Sequence, residues 1–143
     1  MLTVGDVFTF EYQIPESKVV PNLYPESPEF QAIPPVFATG FMVGLLEWTC
    51  IKSISTPTLS EDQTSLGIAI ETTHSAASTP GMTVRAKATV LESGAKKVKW
   101  AVEAHDDVEL IGSGTHTRAI VNAQRFIDHV NAKAEQCRAT TLS

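Results

Sequence analysis

The sequence predicts an α+β domain in which one antiparallel sheet wraps around a single long helix. Three observations predict it. The longest apolar stretch runs from Val36 to Ile51, broken only by Thr39, Glu47 and Thr49 among its larger residues. Four alternating segments follow between residues 66 and 121, separated by turn signals. One more alternating, aromatic-rich segment precedes them at residues 7–14. The whole chain has 143 residues, which corresponds to one domain spanning 1–143.

Taken in order, Phe8, Phe10 and Tyr12 alternate with Val7, Thr9 and Glu11, the period of a half-buried strand. Residues 15–35 hold Pro15, Pro21, Pro25, Pro28, Pro34 and Pro35, six of the eight prolines. That density predicts an extended, looped segment. The same segment carries Val19, Val20, Leu23, Tyr24, Phe30 and Ile33, so it is expected to fold over something as a lid or pocket wall. Residues 36–51 are apolar on every side until Lys52, which predicts a helix buried on most sides. Residues 55–64, with Ser55, Thr56, Pro57, Ser60, Glu61, Asp62 and Gln63, read as a polar exposed loop.

The meander comes next. Residues 66–74 place Ile68, Ile70, Thr72 and His74 on one strand face, and Pro80-Gly81 signals a turn. Residues 83–91 put Val84, Ala86, Ala88 and Val90 inward, and residues 97–105 do the same with Val98, Trp100, Val102 and Ala104. Ser93-Gly94 turns between them. Residues 108–121 form the last strand, with Gly112-Ser113-Gly114 read as a bulge or a close approach. From Asn122 onward, Phe126, Ile127, Val130 and Ala134 lie at helical spacing, so 122–143 is expected to be a short amphipathic helix and tail. A lone apolar helix needs apolar surface around it, and one sheet wrapped about it supplies most of that. This is the hot-dog arrangement, whose small domains commonly pair through sheet edges.

Composition narrows the function. The balance is 11 Lys and Arg against 16 Asp and Glu, a net charge of −5, with no basic cluster. That argues against a nucleic-acid surface and leaves room for a small anionic ligand. Cys50 and Cys137 lie far apart and predict two reduced thiols rather than a disulfide framework or a zinc site. The first residues carry no basic and apolar leader pattern, and the stretch at 36–51 is too short and too polar for a membrane span. A cytoplasmic location is the expectation.

Glu47 is the one charged residue between Pro35 and Lys52. Burying a lone carboxylate costs several kcal/mol, so Glu47 either opens onto a cleft, is paired, or surfaces at an edge. Thr39 sits at the start of the same helix, either as a cap or internal residue, or facing that cleft. Eight helical residues span about 12 Å of rise and roughly 80° of rotation, so Thr39 and Glu47 cannot touch within one helix. His74 is the group most suited to bridge them, since imidazole titrates near neutrality; the alternative is a satisfied structural histidine. His105, His116 and His129 compete, and no His, Cys or carboxylate set has metal-ligand spacing, so no metal is expected. Gly67 at a strand start marks a close approach, and its amide could face an oxyanion. Arg118 is either a solvated edge residue or a contact for a phosphate or carboxylate.

These residues sit inside longer blocks: Leu23 to Phe30, Val36 to Leu45, Glu47-Trp48, Ser65-Leu66-Gly67, Thr73-His74, Pro80-Gly81, Ala104-His105-Asp106 and Ile111 to His116 with Arg118. Together they closely resemble the fluoroacetyl-coenzyme A thioesterase family, over nearly the whole chain and most weakly in the C-terminal tail. The resemblance implies a dimeric hot-dog protein that hydrolyses short acyl-CoA thioesters with a Thr, a Glu and a His. By position these are Thr39, Glu47 and His74. It implies Gly67 at the substrate carbonyl, Arg118 as an arginine of the site, and Leu23, Phe30, Ile33 and Phe37 as acyl-pocket walls. Coenzyme A is part of the substrate, and no further cofactor is implied. Two positions depart from the family. Ile33 stands before Pro34 where the family has a lid phenylalanine, and Pro21 stands where its cover loop has an arginine. Two other activities share the fold class: a hydratase or dehydratase of enoyl thioesters, which usually carries an Asp/His pair, the histidine on the central helix, where this helix has none, and a non-catalytic acyl-CoA or acyl-carrier binding module.

Overall fold

In the computed structural model of the chain, residues 2–55 and 58–142 are described; Thr56 and Pro57 of the expected polar loop lie outside the described residues, as do Met1 and Ser143. Five strands form one antiparallel sheet: β1 (Val7–Gln13), β2 (Gln63–Thr72), β3 (Thr83–Ser93), β4 (Lys97–His105) and β5 (Leu110–Asn122). Their spatial order is β1-β3-β4-β5-β2, so β1 and β2 are the edges. Helices α1 (Val20–Leu23) and α2 (Pro28–Gln31) precede the long helix α3 (Thr39–Ile54), and α4 (Ala123–Leu142) ends the chain.

The alternation in β3 and β4 behaves as read. Val84, Ala86, Ala88, Val90, Val98, Trp100, Val102 and Ala104 are all buried and face α3. The helix answers with Met42, Leu45, Leu46, Thr49, Cys50, Ser53 and Ile54, a stripe at i, i+3, i+4, i+7 spacing. Two hydroxyls in that stripe are satisfied locally, Thr49 donating to the Leu45 carbonyl (2.9 Å) and Ser53 to that of Cys50 (2.7 Å).

Burial on most sides is not what α3 shows. One face is sealed by the sheet, while Gly40, Gly44, Trp48 and Ile51 on the other are exposed, Trp48 by 45%. The apolar sequence extends around the helix, but a single sheet covers only one side. The helix also runs three residues further than expected, and it starts three residues later because residues 36–38 are bonded to Lys18, Val19 and Val20 instead.

The proline-rich segment is not wholly extended. It contains a 3-10 turn at Glu16–Lys18 and the four-residue helices α1 and α2, with proline in the first turn of each helix, where no amide donor is needed. Ser27 caps α2 by accepting from the Phe30 amide (3.1 Å), and Tyr24 stacks on Phe30 (5.4 Å). The segment is stitched to the root of α3 by the Val19–Phe37 bridge and by bonds from Val20 to Val36 (2.9 Å) and from Ala38 to Lys18 (3.1 Å).

The strand expected at 66–74 runs instead from Gln63 to Thr72, with a bulge between Gly67 and Ala69. Ile68 and Ile70 are exposed on this edge strand, and His74 lies just beyond its end. The chain through His74 is still pinned to β5, by Thr73 to Ser113 (2.9 Å) and Ser75 to Ile111 (2.7 Å). Gly112 and Gly114 explain why: a Cβ on Gly114 would overlap the Glu71 carbonyl, and one on Gly112 that of Thr73. Both of the readings for this Gly-Ser-Gly stretch apply, since the β4–β5 register also slips beside Gly112. The terminal helix is longer than expected, capped by Asn122 accepting from the Arg125 amide (2.9 Å). Its apolar residues Phe126, Ile127 and Val130 remain exposed.

Three outcomes follow from this packing. Gly114→Ala forces β2 off β5 and is expected to cost about 3 kcal/mol, the upper range for overpacking, in urea unfolding. Gly44→Ala, with nothing within 4 Å of the new methyl, is expected to stabilise the same protein by roughly 0.5–1 kcal/mol. Cys137 is exposed, whereas burial pushes the Cys50 thiol up to about 12. Titration of the native protein with a chromogenic disulfide is therefore expected to modify Cys137 rapidly and Cys50 only on unfolding.

Candidate active site

The first turn of α3 carries Thr39 as its first helical residue, and Ala38 occupies the cap position. Thr39 is thus not the cap. Its hydroxyl reaches across to His74, with Oγ1 2.7 Å from Nδ1, although 35 positions separate the two in sequence. His74 owes its position to the flanking bonds of Thr73 and Ser75 to β5. The pair opens onto a depression of about 260 Å³ with Val20, Val36, Phe37 and Ala76 on its walls. Thr39 is exposed and His74 half-buried.

Burial holds the His74 imidazole below its ordinary value, and the Ala76 backbone offsets this in part. The ring is therefore neutral at pH 7 and able to accept a proton. Its second nitrogen, Nε2, is enclosed with no hydrogen-bond partner among the described residues.

Glu47 lies two turns along α3 and does not contact His74. Its carboxylate accepts from Arg118 Nη1 (3.3 Å), with the Glu47 side chain 37% exposed and that of Arg118 7%. Two of the possibilities raised for Glu47 hold at once, since it is paired and it reaches the surface. Arg118 is no solvated edge residue. Its Nε donates to Ser65 Oγ (2.9 Å), Nη2 to the Ser65 carbonyl (3.0 Å), and Nη1 also faces His116 Nε2 (3.2 Å). Gly67 pairs with Arg118 in the sheet, and a Cβ there would stand 2.9 Å from the Glu47 carboxylate. Glycine at 67 is what lets α3 bring this carboxylate onto β2.

The expected residues therefore form two stations on α3, Thr39 with His74 at one and Glu47 with Arg118 and Gly67 at the other. Of the four expected pocket walls, Phe37 lines the depression at Thr39. Leu23 packs over Gly40, Phe30 stacks on Tyr24, and Ile33 is exposed in the cover; none of these three lines it. A second, apolar groove of about 240 Å³ lies on the open face of α3, between Tyr12, Phe37, Phe41 and Trp48, with Lys18 at its rim. A depression of about 730 Å³ around β3 is charged and bridged by the exposed pairs Arg85–Glu11 and Lys87–Glu103, and it holds none of the expected residues.

Sequence reasoning set His116 aside, yet it is 1% exposed, at the centre of the second station. Its spacing of two residues from Arg118 on an inward strand face was the available signal. Ser65 was not foreseen. His105 and His129 are exposed, apart from both stations. Among the described residues no group of three or more His, Cys, Asp or Glu is placed to hold a metal ion, and no helix is long and apolar enough to cross a membrane.

Comparison with known proteins places this geometry. Residues 19–124 match the family model described as FlK, fluoroacetyl-CoA-specific thioesterase. A fluoroacetyl-CoA thioesterase of Streptantibioticus cattleyicolor is 47% identical over 135 residues, covering 94% of both chains. A solved structure of the fluoroacetyl-CoA thioesterase superposes with a TM-score of 0.87 at 47% identity, covering 95% of this chain and 97% of that one. A variant of that enzyme in complex with fluoroacetate and CoA gives 0.84 at 48% identity, covering 87% and 99%. A thioesterase superfamily member from Thermus thermophilus gives 0.84 at 28% identity, covering 96% of each chain. With a family model spanning most of its length and a relative of this identity along nearly all of it, the chain belongs to the fluoroacetyl-CoA-specific thioesterase family.

Proposed function

We propose that this thioesterase hydrolyses short acyl-CoA thioesters, with Thr39 and His74 as its reacting pair. The observation that carries the reading is the 2.7 Å contact between Thr39 Oγ1 and His74 Nδ1 at the mouth of a small pocket. A threonine hydroxyl is a weak nucleophile until a base takes its proton. His74, held neutral by burial, accepts that proton at Nδ1 as Thr39 Oγ1 attacks the thioester carbonyl carbon. The C–S bond then breaks and the CoA thiolate leaves, taking the proton from His74. Water enters and attacks the acyl carbon as His74 accepts its proton; the bond from that carbon to Thr39 Oγ1 breaks, the free acid leaves, and His74 returns the proton to Thr39 Oγ1. Thr39 in the first turn of α3 also stands at the positive end of the helix dipole, which favours the developing negative charge.

Glu47 and Arg118 belong to the second station, about 12 Å further along the helix. In the proposed assembly two copies pair through the open side of α3 and the edge strand β2. Trp48, Ile51, Ile68 and Ile70 are exposed there and gain cover on pairing. Such pairing sets the Glu47 and Gly67 station of one copy beside the Thr39 and His74 station of the other. The Gly67 amide is assigned to the substrate carbonyl, and Glu47 to steering the attacking water.

Acyl choice is assigned to the cover. Ile33 is exposed at its end, next to Pro34, at the position where the resemblance implies a phenylalanine. The smaller aliphatic side chain leaves the acyl group less enclosed, so acetyl and fluoroacetyl are discriminated less strongly.

Three measurements test this. Thr39→Val and His74→Ala are each expected to lower thiol release from acetyl-CoA by roughly 10²–10⁴-fold, with unchanged unfolding midpoints. Equal rates for either variant and the wild type sink the reacting pair, and rapid-quench mass spectrometry shows whether the acyl group rests on Thr39. In the wild type the acid limb of kcat/KM is expected below pH 6.5, because the base form is lost only as pH falls through a lowered imidazole value. Ile33→Phe is expected to raise the preference for fluoroacetyl-CoA over acetyl-CoA by roughly tenfold, measured as a ratio of kcat/KM.

A further inference from the structure

His116 lies inside β5, 1% exposed, with one ring face towards Trp100 (6.1 Å between centroids, 19° between planes). Its two nitrogens have different neighbours. Nδ1 is 2.8 Å from the Ala69 carbonyl, and Nε2 is 3.2 Å from Arg118 Nη1. A guanidinium nitrogen only donates, so Nε2 must be the acceptor. A carbonyl only accepts, so Nδ1 carries the ring proton. The contacts thus fix both the tautomer and the charge of this ring. A second proton, on Nε2, would point at a cation. Arg118 on the same strand and Glu47 on α3 are the charged groups that act on the ring, and burial with the nearby cation disfavours its charged form, against the Ala69 carbonyl and Glu47.

We propose that His116, as the neutral Nδ1–H imidazole, is a positioning residue for the thioesterase site: by accepting one hydrogen bond from Arg118 Nη1 it aims that nitrogen at the Glu47 carboxylate. The proposal rests on the reading that places Glu47 and Arg118 in the working site. Arg118 Nη1 sits between His116 Nε2 (3.2 Å) and Glu47 (3.3 Å), and Ser65 occupies the other two nitrogens of the fork. Without His116, the nitrogen that meets Glu47 loses the bond that fixes its direction. A purely structural role would lie elsewhere on the ring, in the Nδ1 bond that ties β5 to the bulged part of β2 at Ala69.

Because the two roles use different nitrogens, two substitutions separate them. His116→Gln places an amide oxygen near the Nε2 position and keeps an acceptor for Arg118. His116→Asn places an amide nitrogen near the Nδ1 position and keeps a donor for Ala69. With acetyl-CoA and the full chain, kcat of the Gln variant is expected to exceed that of the Asn variant by about tenfold, the worth of one hydrogen bond to a charged group, with the difference in kcat and not in KM. Equal kcat values, or the reverse order, overturn the positioning role. A wild-type chain that releases no thiol from any acyl-CoA overturns the functional reading and the positioning role with it. Nitrogen-15 spectra of the wild-type imidazoles at pH 7 give a readout independent of any variant's folding. They are expected to show His116 protonated at Nδ1 alone; an Nε2–H tautomer or an imidazolium overturns the proposal.

Discussion

The close approach of β2 to β5 is the constraint on which the rest of this structure depends. Two glycines, at 112 and 114, remove the side chains that would hold the strands apart. The β2 backbone then lies against β5, and the hydrogen bonds of Thr73 and Ser75 continue the pairing past the end of the strand. His74 sits between those two residues, so a feature of the sheet fixes where an imidazole meets the first turn of α3. At the other end of the same strand pair, Gly67 lies opposite Arg118 and leaves room for Glu47. Both stations on the helix are thus set by glycine placement in two strands.

A sparsely charged chain makes each interior charge consequential. Arg118 is almost fully enclosed and every nitrogen of its guanidinium has a partner; of the partner residues two are sequence-distant, Glu47 and Ser65, and the third, His116, is on its own strand. A buried arginine left short of partners would be costly. Here a carboxylate, a hydroxyl, a carbonyl and an imidazole share the task; Glu47 and Ser65 are partly exposed, and the imidazole is buried. Rigidity below and access above follow from the same set of contacts.

The sequence was most legible where the pattern has period two with one face sealed, as in β3 and β4, where each inward residue was correctly placed. Thr39, Glu47 and His74 stood out by residue type and by resemblance, and His74 was expected to bridge the other two; it meets Thr39, but Glu47 bonds Arg118 instead, a partner across 71 residues that depends on the fold rather than on spacing. The two apolar sides of α3 could not be told apart, since hydropathy records that a surface avoids water and not what covers it. The short helices in the cover were hidden by prolines that forbid a helix interior yet suit its first turn. His116 was named only as a competitor of His74, although its two-residue spacing from Arg118 already put both on one strand face.

Cys50 has a further bearing on the chemistry. It lies on α3 near Glu47 and Arg118, in a protein whose family handles thioesters. A free thiolate in that position would exchange with acyl-CoA and trap the acyl group as a protein thioester. Burial against the sheet keeps the sulfur protonated and out of reach, with its thiol pushed up to about 12. The packing that stabilises α3 therefore also keeps the sulfur beside Glu47 and Arg118 from acting as a nucleophile.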